Sequence, residues 1–348
     1  MKTNILTLLL ALALSFFSNA QTIPIIDSIF EQQLINLGYD TPPLNGVVWA
    51  DSISSIDTLI ISGYPNFEIN DLSGIEHFYN LQYLDCSNNN IDTLNLNQNS
   101  NLKYLNCSSD SINTLIIDNL YALTILNCSF NVLTEINLSG NPGLTELICF
   151  RNELTTLNLT NNTFLGNLDL GENNITTLDV SMMNLEYLNC QNNALSSINL
   201  HNNTSLSWLI CYNNNLQEIN LSDNINLETL NIGNVSSQPS IYSNNLHTLN
   251  ISTNCNLSNF ISKDLPNLSC IQVCDTVMSN SWNPQFLDPQ HYFSLDCNYT
   301  SVDDVAFIND VLISLKDIYG REVSENHEGI LFYIYKSGKI EKRIILDN

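Results

Sequence analysis

NLQYLDCSNNNIDTLNLNQNS, residues 80–100, is the stretch that decides the fold. Its apolar positions are Leu81, Leu84, Cys86, Ile91, Leu94 and Leu96, and Asn89 and Asn99 close its two halves. Leu84 and Cys86, like Leu94 and Leu96, stand two residues apart, which is strand spacing with both side chains on one face. The next twenty-one residues, from Asn101, read NLKYLNCSSDSINTLIIDNLY and keep every one of the apolar spacings. Further copies start at Ala122, Gly143, Phe164, Asn184 and Ser205, the Phe164 copy being one residue shorter. The copy at Asn226 carries a longer insertion around Ser236–Asn244. A degenerate copy precedes the series at Ile56–Ile75, and weaker ones follow at Leu257 and Leu268.

One such unit cannot fold alone, because burying its apolar side chains does not offset the entropy of ordering its backbone. Stacking against neighbours must supply the rest, so the period predicts a solenoid of parallel strands with little helix. The column Asn89, Asn131, Asn152, Asn173, Asn193 and Asn214 suits that design. A buried amide at each turn satisfies backbone groups of the coils beside it. Many of these asparagines fall in N-x-S/T sequons, which we read as repeat composition rather than glycosylation.

Each half of a block reads L-x-x-L-x-L-x-x-N. This resembles the leucine-rich repeat family, in a short bacterial form whose first triplet closes on Cys or Leu. The resemblance covers roughly residues 56–277. Residues 21–55 form an N-terminal cap in which Thr22–Gly46 breaks the period; there IDSIFEQQLINLGYD has helical spacing at Ile26, Phe30, Leu34 and Leu37 and stops at Gly38. This stretch resembles the amphipathic N-terminal caps of related secreted bacterial repeat proteins.

Residues 1–20 read as a secretory signal peptide: Lys2, an apolar run from Leu6 to Phe17, then Ser18-Asn19-Ala20 as small residues before Gln21. The run is too short to span a bilayer, no later stretch approaches that length, and no Cys follows it to carry a lipid anchor. The mature protein is therefore expected outside the cytoplasm, secreted or on the outer cell surface, without a membrane-spanning segment.

The chain has 348 residues, 44% of them hydrophobic, which is enough for a large core, and a net charge of −25. Such acidity argues against nucleic acid as a partner, since phosphate binding needs a basic footprint. It argues equally against anionic lipid headgroups.

Cys86, Cys107, Cys128, Cys149, Cys190 and Cys211 all occupy the third apolar position of the repeat. In-register neighbours would lie about 4.8 Å apart with parallel side-chain vectors. A disulfide instead wants a closer, skewed pair. These six are expected to stay buried thiols acting as small hydrophobes. Cys255, Cys270, Cys274 and Cys297 lie off that column; Cys270–Cys297 is the favoured disulfide, with four thiols as the alternative.

Composition changes toward the C-terminus. Six of the ten basic residues are Lys316, Arg321, Lys336, Lys339, Lys342 and Arg343. Between residues 21 and 311 only Lys103, Arg151 and Lys263 are basic. We place a cap and linker at 278–303 and a separate unit at 304–348. Three alternating stretches, Leu312–Ile318, Ile330–Tyr335 and Ile340–Leu346, predict strands, the last two joined by a turn at Lys336–Lys339. The unit resembles the C-terminal sorting domain of type IX secretion in Bacteroidetes. The matching residues are Asp317, Gly320 and Arg321 in a D-x-x-G-R turn, Gly329 before an aromatic strand, and Lys342 and Arg343 opening the basic-apolar end. The Asn-Pro motif that starts the fuller family pattern is absent. The resemblance implies a small β-sandwich-like domain and type IX secretion machinery as a partner.

No catalytic chemistry is legible. The five histidines are scattered without metal-ligand spacing, and G-x-S-x-G, HExxH and P-loop motifs are absent. Asp303, Asp304 and Asp310 lack the EF-hand pattern and read as a solvated linker. No enzyme, metal or cofactor is expected.

What remains is the outward face of the first strand. One column reads Tyr83, Tyr104, Ile125, Glu146, Asn167, Tyr187, Trp208 and Thr229, the next contains Ile148 and Ile210, and a third contains Phe150 and Tyr212. The equivalent face of the second half is polar: Thr93, Thr114, Glu135, Thr156, Thr177, Ser197 and Glu218. Exposed aromatic patches mark binding surfaces, because Trp and Tyr dominate hot spots. The expected role is non-catalytic binding of a protein or polysaccharide through this face. The alternatives are a structural surface or adhesion spacer, with the aromatics packed across strands for stability alone, and an uncharacterised hydrolase.

Overall fold

A computed structural model of the chain describes residues 21–63, 68–234, 242–297, 312–317, 320–323, 329–335 and 340–345. The expected signal peptide at 1–20, the acidic residues Asp303, Asp304 and Asp310, and the Lys336–Lys339 turn lie outside the described residues.

The repeats wind into a solenoid. All but the last copy, at Leu268, contribute one three-residue strand to a ten-stranded sheet: Thr58–Ile60, Tyr83–Asp85, Tyr104–Asn106, Ile125–Asn127, Glu146–Ile148, Asn167–Asp169, Tyr187–Asn189, Trp208–Ile210, Thr229–Asn231 and Asn259–Ile261, in that spatial order. Every neighbouring pair is parallel and in register, so Leu84 stands opposite Leu59 and Leu105, and Leu188 opposite Leu168 and Leu209. The Leu column and the six repeat cysteines are fully buried, with Leu170 and Ile232 filling the thiol position in the Phe164 and Asn226 repeats. The thiols are not disulfide-bonded, and burial pushes each of them up, Cys128 and Cys211 to about 12.

The Asn column works as a two-coil clasp. Asn131 Nδ2 donates to Cys107 O at 2.8 Å and Cys128 O at 3.1 Å, and its Oδ1 accepts from Ile112 N at 2.9 Å. Asn152, Asn173, Asn193 and Asn214 repeat the pattern one coil at a time. A second buried column, Asn99, Asn141, Asn162, Asn203, Asn224 and Asn254, closes the other half-turn. These donate to carbonyls of the preceding coil, as Asn141 does to Ile117 O at 3.0 Å.

Two expectations need correction. The second L-x-L of each repeat reads as a strand, yet among the described residues it forms one only at Thr93–Asn95, Thr114–Ile116 and Leu249–Ile251. In the intervening coils contacts between turns are made one bond at a time, such as Glu153 N to Leu133 O, and local turns take over, such as Thr160 N to Asn158 Oδ1. The N-terminal cap does hold a helix, Ser28–Asn36, with Phe30 and Leu34 buried. Ile26 and Leu37, however, are 71% and 42% exposed. The reason is the cap: Asp27 Oδ1 accepts from Ile29 N and Phe30 N, so Ile26 precedes the first turn, and Leu37 is the C-cap residue. Asp27 Oδ2 also accepts from Asn70 N at 2.9 Å, fastening the helix to the first coil.

At the other end, Cys270–Val273 pairs in parallel with both Leu249–Ile251 and Tyr292–Ser294. Trp282 is buried there against Phe260 and Phe293, its Nε1 donating to Leu257 O at 3.1 Å. Cys270 and Cys297 are disulfide-bonded, with Cα atoms 5.9 Å apart. The C-terminal strands Leu312–Asp317, Gly329–Tyr335 and Ile340–Ile345 form an antiparallel three-stranded sheet.

Candidate functional site

The parallel register fixes what the ten-stranded sheet shows to solvent. The middle residue of each strand points into the core and its two neighbours point out. The eight aromatic and aliphatic residues singled out from sequence all lie on this outer face, Trp208 at 45% exposed and the other seven half-buried.

They form separate clusters rather than one stripe. Tyr83 and Tyr104 stack face to face, ring centroids 4.1 Å apart and planes 1° from parallel. Phe150 packs against Phe130 at 5.4 Å, and its ring overlies Gly171, where a Cβ would stand 3.0 Å from the ring. Ile148 sits two residues before Phe150 on the same strand edge. Tyr187 and Trp208 are register partners with ring centroids 6.5 Å apart, and Ile210 and Tyr212 continue that strand. Between the Tyr83–Tyr104 pair and Phe150 the outer positions include Ile125 and Glu146, and between Phe150 and Tyr187 they include Asn167 and Asp169.

The electrostatics of the face are acidic and partly desolvated. Burial raises the Asp169 carboxyl above the usual range. Burial also pushes the Tyr104 and Tyr187 phenols up to about 12, Tyr83 reinforcing the first and Asp169 the second. Tyr212 is raised by burial and by Glu172. These phenols stay neutral hydrogen-bonding groups in ordinary conditions.

Two residues at the patch escaped the sequence reading. Phe130 is 44% exposed, and the Arg151 guanidinium lies over its ring at 5.5 Å while its Nε stands 3.4 Å from Glu172 Oε2. Both belong to a column of left-handed residues, Asn88, Ser109, Phe130, Arg151, Glu172, Asn192 and Asn213, all with φ between 51° and 59°. The available signal was Arg151 itself, one of three basic residues in residues 21–311.

The polar column Thr93, Thr114, Glu135, Thr156, Thr177, Ser197 and Glu218 is exposed throughout. A cleft of about 670 Å³ opens near the N-terminal end, lined by Asp71, Glu76 and Asp92 among other polar residues. Among the described residues no group of three or more His, Cys, Asp or Glu is placed to hold a metal, and no helix is long and apolar enough to cross a membrane. Of the residues expected to form a sorting motif, Asp317 ends one strand of the C-terminal sheet and Gly329 opens the next. Gly320 has φ 77°, and Lys342 and Arg343 pair with Phe332 and Leu331.

No family model and no curated protein matches the chain. Solved structures do. The functional domain of InlJ from Listeria monocytogenes, which includes a cysteine ladder, is similar over 79% of this chain and 70% of that one, at 26% identity and TM-score 0.58. The internalin inlF from Listeria monocytogenes str. 4b F2365 is similar over 78% of this chain and 77% of that one, at 22% identity and TM-score 0.58. The plant peptide hormone receptor RGFR1, solved in complex with RGF2, matches 70% of this chain and 41% of its own at 17% identity and TM-score 0.53. These neighbours are leucine-rich repeat proteins, and the parallel-stranded solenoid with a 21-residue period and little helix described here has their fold.

Proposed function

We propose that this chain is a non-catalytic, exported leucine-rich repeat protein that binds a protein partner through the strand face around Tyr187, Trp208, Ile210 and Tyr212. The observation that carries the reading is Trp208, a large ring 45% exposed on a rigid strand whose backbone is bonded on both sides. Trp and Tyr at fixed positions supply hot-spot area at little entropic cost. A polysaccharide needs an open ring face to stack on. Tyr83 and Tyr104 cover one face of each other, so that separate cluster has less open ring to offer a sugar. Export rests on the apolar run Leu6–Phe17, and the type IX route on Asp317, Gly320, Arg321, Gly329, Lys342 and Arg343 in a small C-terminal sheet.

The test is capture of extracellular proteins by the immobilised chain, compared with Trp208→Ala and Tyr212→Ala. Loss of the captured partner in both variants supports the face. Capture undiminished in both leaves the spacer reading, for which the Tyr83–Tyr104 stack is the supporting observation.

A further inference from the structure

Two cysteines belong neither to the buried column nor to the Cys270–Cys297 bridge. Cys255 stands in the turn that follows strand Leu249–Ile251, is exposed, and has its Sγ 3.9 Å from Ser252 O. The turn is pinned on both sides. Ser252 N donates to Asn250 Oδ1 at 3.0 Å, and the buried Asn254 donates to Leu221 O at 3.1 Å and Asn224 O at 2.8 Å. Cys274 directly follows strand Cys270–Val273, which pairs with Leu249–Ile251 so that Val273 faces Ile251. That register carries Cys274 alongside Ser252, the residue whose carbonyl lies 3.9 Å from the Cys255 Sγ.

This pair differs from the repeat cysteines in the two respects that matter for sulfur chemistry. The column thiols occupy equivalent positions of successive coils, so their side chains run parallel, and they are sealed from solvent. Cys255 and Cys274 come from non-equivalent positions, the Val273–Ile251 register sets Cys274 beside the turn into which the Cys255 Sγ folds back, and reagents can reach Cys255.

We propose that Cys255 and Cys274 form an exchange-active dithiol that closes, by reaction with a low-molecular-weight disulfide, into a second disulfide across the last coil and its cap. In the first step the Cys255 thiol gives up its proton, and its sulfur attacks one sulfur of RSSR. A Cys255–SR bond forms, the RS–SR bond breaks, and the departing RS⁻ takes up the proton as RSH. In the second step Cys274 gives up its proton and attacks the Cys255 sulfur. The Cys255–Cys274 bond forms and the second RS⁻ leaves as RSH. Two protein thiols are oxidised and one RSSR is reduced to two RSH. Cys255 attacks first because it is exposed. Burial together with the Cys255 contact pushes the half-buried Cys274 thiol up to about 11, which fits a resolving role. Closure would join the turn at 252–255 through Cys274 and Cys270 to Cys297, one covalent path from the last coil to the end of the cap.

The experiment uses the full chain, native, before and after exposure to oxidised glutathione. A linked peptide joining Cys255 to Cys274, with loss of two hydrogens from the intact mass and no retained glutathione, is the expected result. Alkylation without denaturant should label Cys255 and Cys274 in the thiol form and neither in the oxidised form. Cys274→Ser should trap glutathione on Cys255 as a stable mixed disulfide while its circular dichroism stays that of the parent. A wild-type protein that keeps glutathione on Cys255 with Cys274 still alkylated, or in which both thiols survive the oxidant, overturns the proposal.

Discussion

Asp110 Oδ1 accepts a hydrogen bond from the Ile91 backbone amide at 3.3 Å, the bond that Asn131 takes from Ile112 at 2.9 Å one repeat later. The carboxylate thus occupies an amide's place in the Asn column. It copies only the accepting half of the amide, for Asp110 Oδ2 is buried with no hydrogen-bond partner. Asn131 Nδ2 at the equivalent point donates to two cysteine carbonyls.

Burial pushes the Asp110 carboxyl up to about 7, against the pull of the Ile91 and Asn89 amides and with help from Asp85. In the unfolded chain the group titrates near about 3.9. The folded state therefore holds the proton more tightly. The stability this provides is complete below the unfolded value and is lost as pH rises toward 7. Replacing Asp110 by Asn restores both halves of the clasp and removes the titration. Asp110→Asn should raise the unfolding free energy by about 1–3 kcal/mol above pH 7 and by much less near pH 4. Denaturant unfolding of the two proteins at both pH values checks this; an equal gain at both would show that the carboxyl is not protonated in the fold.

The intact clasp can be tested at Asn152, whose Nδ2 donates to Cys128 O at 3.0 Å and Cys149 O at 3.2 Å while Oδ1 accepts from Leu133 N at 3.0 Å. Each of those carbonyls also receives a neighbouring amide, Cys128 O from Asn131 and Cys149 O from Asn173. The buried Leu133 amide has no such second partner in this column. Asn152→Ala should therefore cost about 1–3 kcal/mol, the penalty of one orphaned buried donor, rather than the sum of three bonds. A loss several times larger in denaturant titration would mean that the carbonyls are not redundantly held.

Adjacent residues on the Trp208–Ile210 strand should behave oppositely. Leu209 is fully buried in the Leu column, whereas Trp208 faces out. Leu209→Ala should cost about 2–5 kcal/mol through the cavity it leaves. Trp208→Ala should change stability by less than about 1 kcal/mol. Thermal unfolding separates the two; comparable losses would show Trp208 to be a packing residue and weaken its assignment to a binding face.

Much of this architecture was legible because the repeat states it many times over. Leu84, Leu105 and Leu126 share one phase in the sequence and one column in space, so the inward face follows from periodicity alone. The Asn column and the cysteine column were readable for the same reason. Three features were not. The second L-x-L has the same spacing whether its coils form a ladder or make isolated bonds, so Thr114 and Thr156 cannot be told apart by pattern. The left-handed column holds Asn88, Asn192 and Asn213, of a type that favours positive φ, but Ser109, Phe130, Arg151 and Glu172 fill the positions between and do not advertise it. The division of the aromatics into clusters depends on which rings touch. Gly171 makes room for Phe150, and that is a property of neighbouring coils rather than of either sequence stretch.

The two glycines Gly140 and Gly166 look equally dispensable in the sequence, but coil-to-coil spacing sets them apart. At Gly140 a Cβ would stand 1.7 Å from Asp118 O and 2.5 Å from its carbonyl carbon, both backbone atoms of the preceding turn. Nothing there can rotate away, so Gly140→Ala must push two coils apart and disturb the neighbouring Asn141 bonds to Ile117 O and Leu120 O. Destabilisation of about 2 kcal/mol or more is expected. At Gly166 the nearest atom to a Cβ is Thr145 O at 4.0 Å, an ordinary contact, and the backbone does not require positive φ. Gly166→Ala should be neutral or stabilising by up to about 1 kcal/mol, through the entropy it removes from the unfolded chain. Urea unfolding midpoints of the two variants decide the matter. Opposite signs support a stack in which Gly140 sets the closest approach of adjacent turns, and matching signs would mean that the turn at Asp118 is not where the structure puts it.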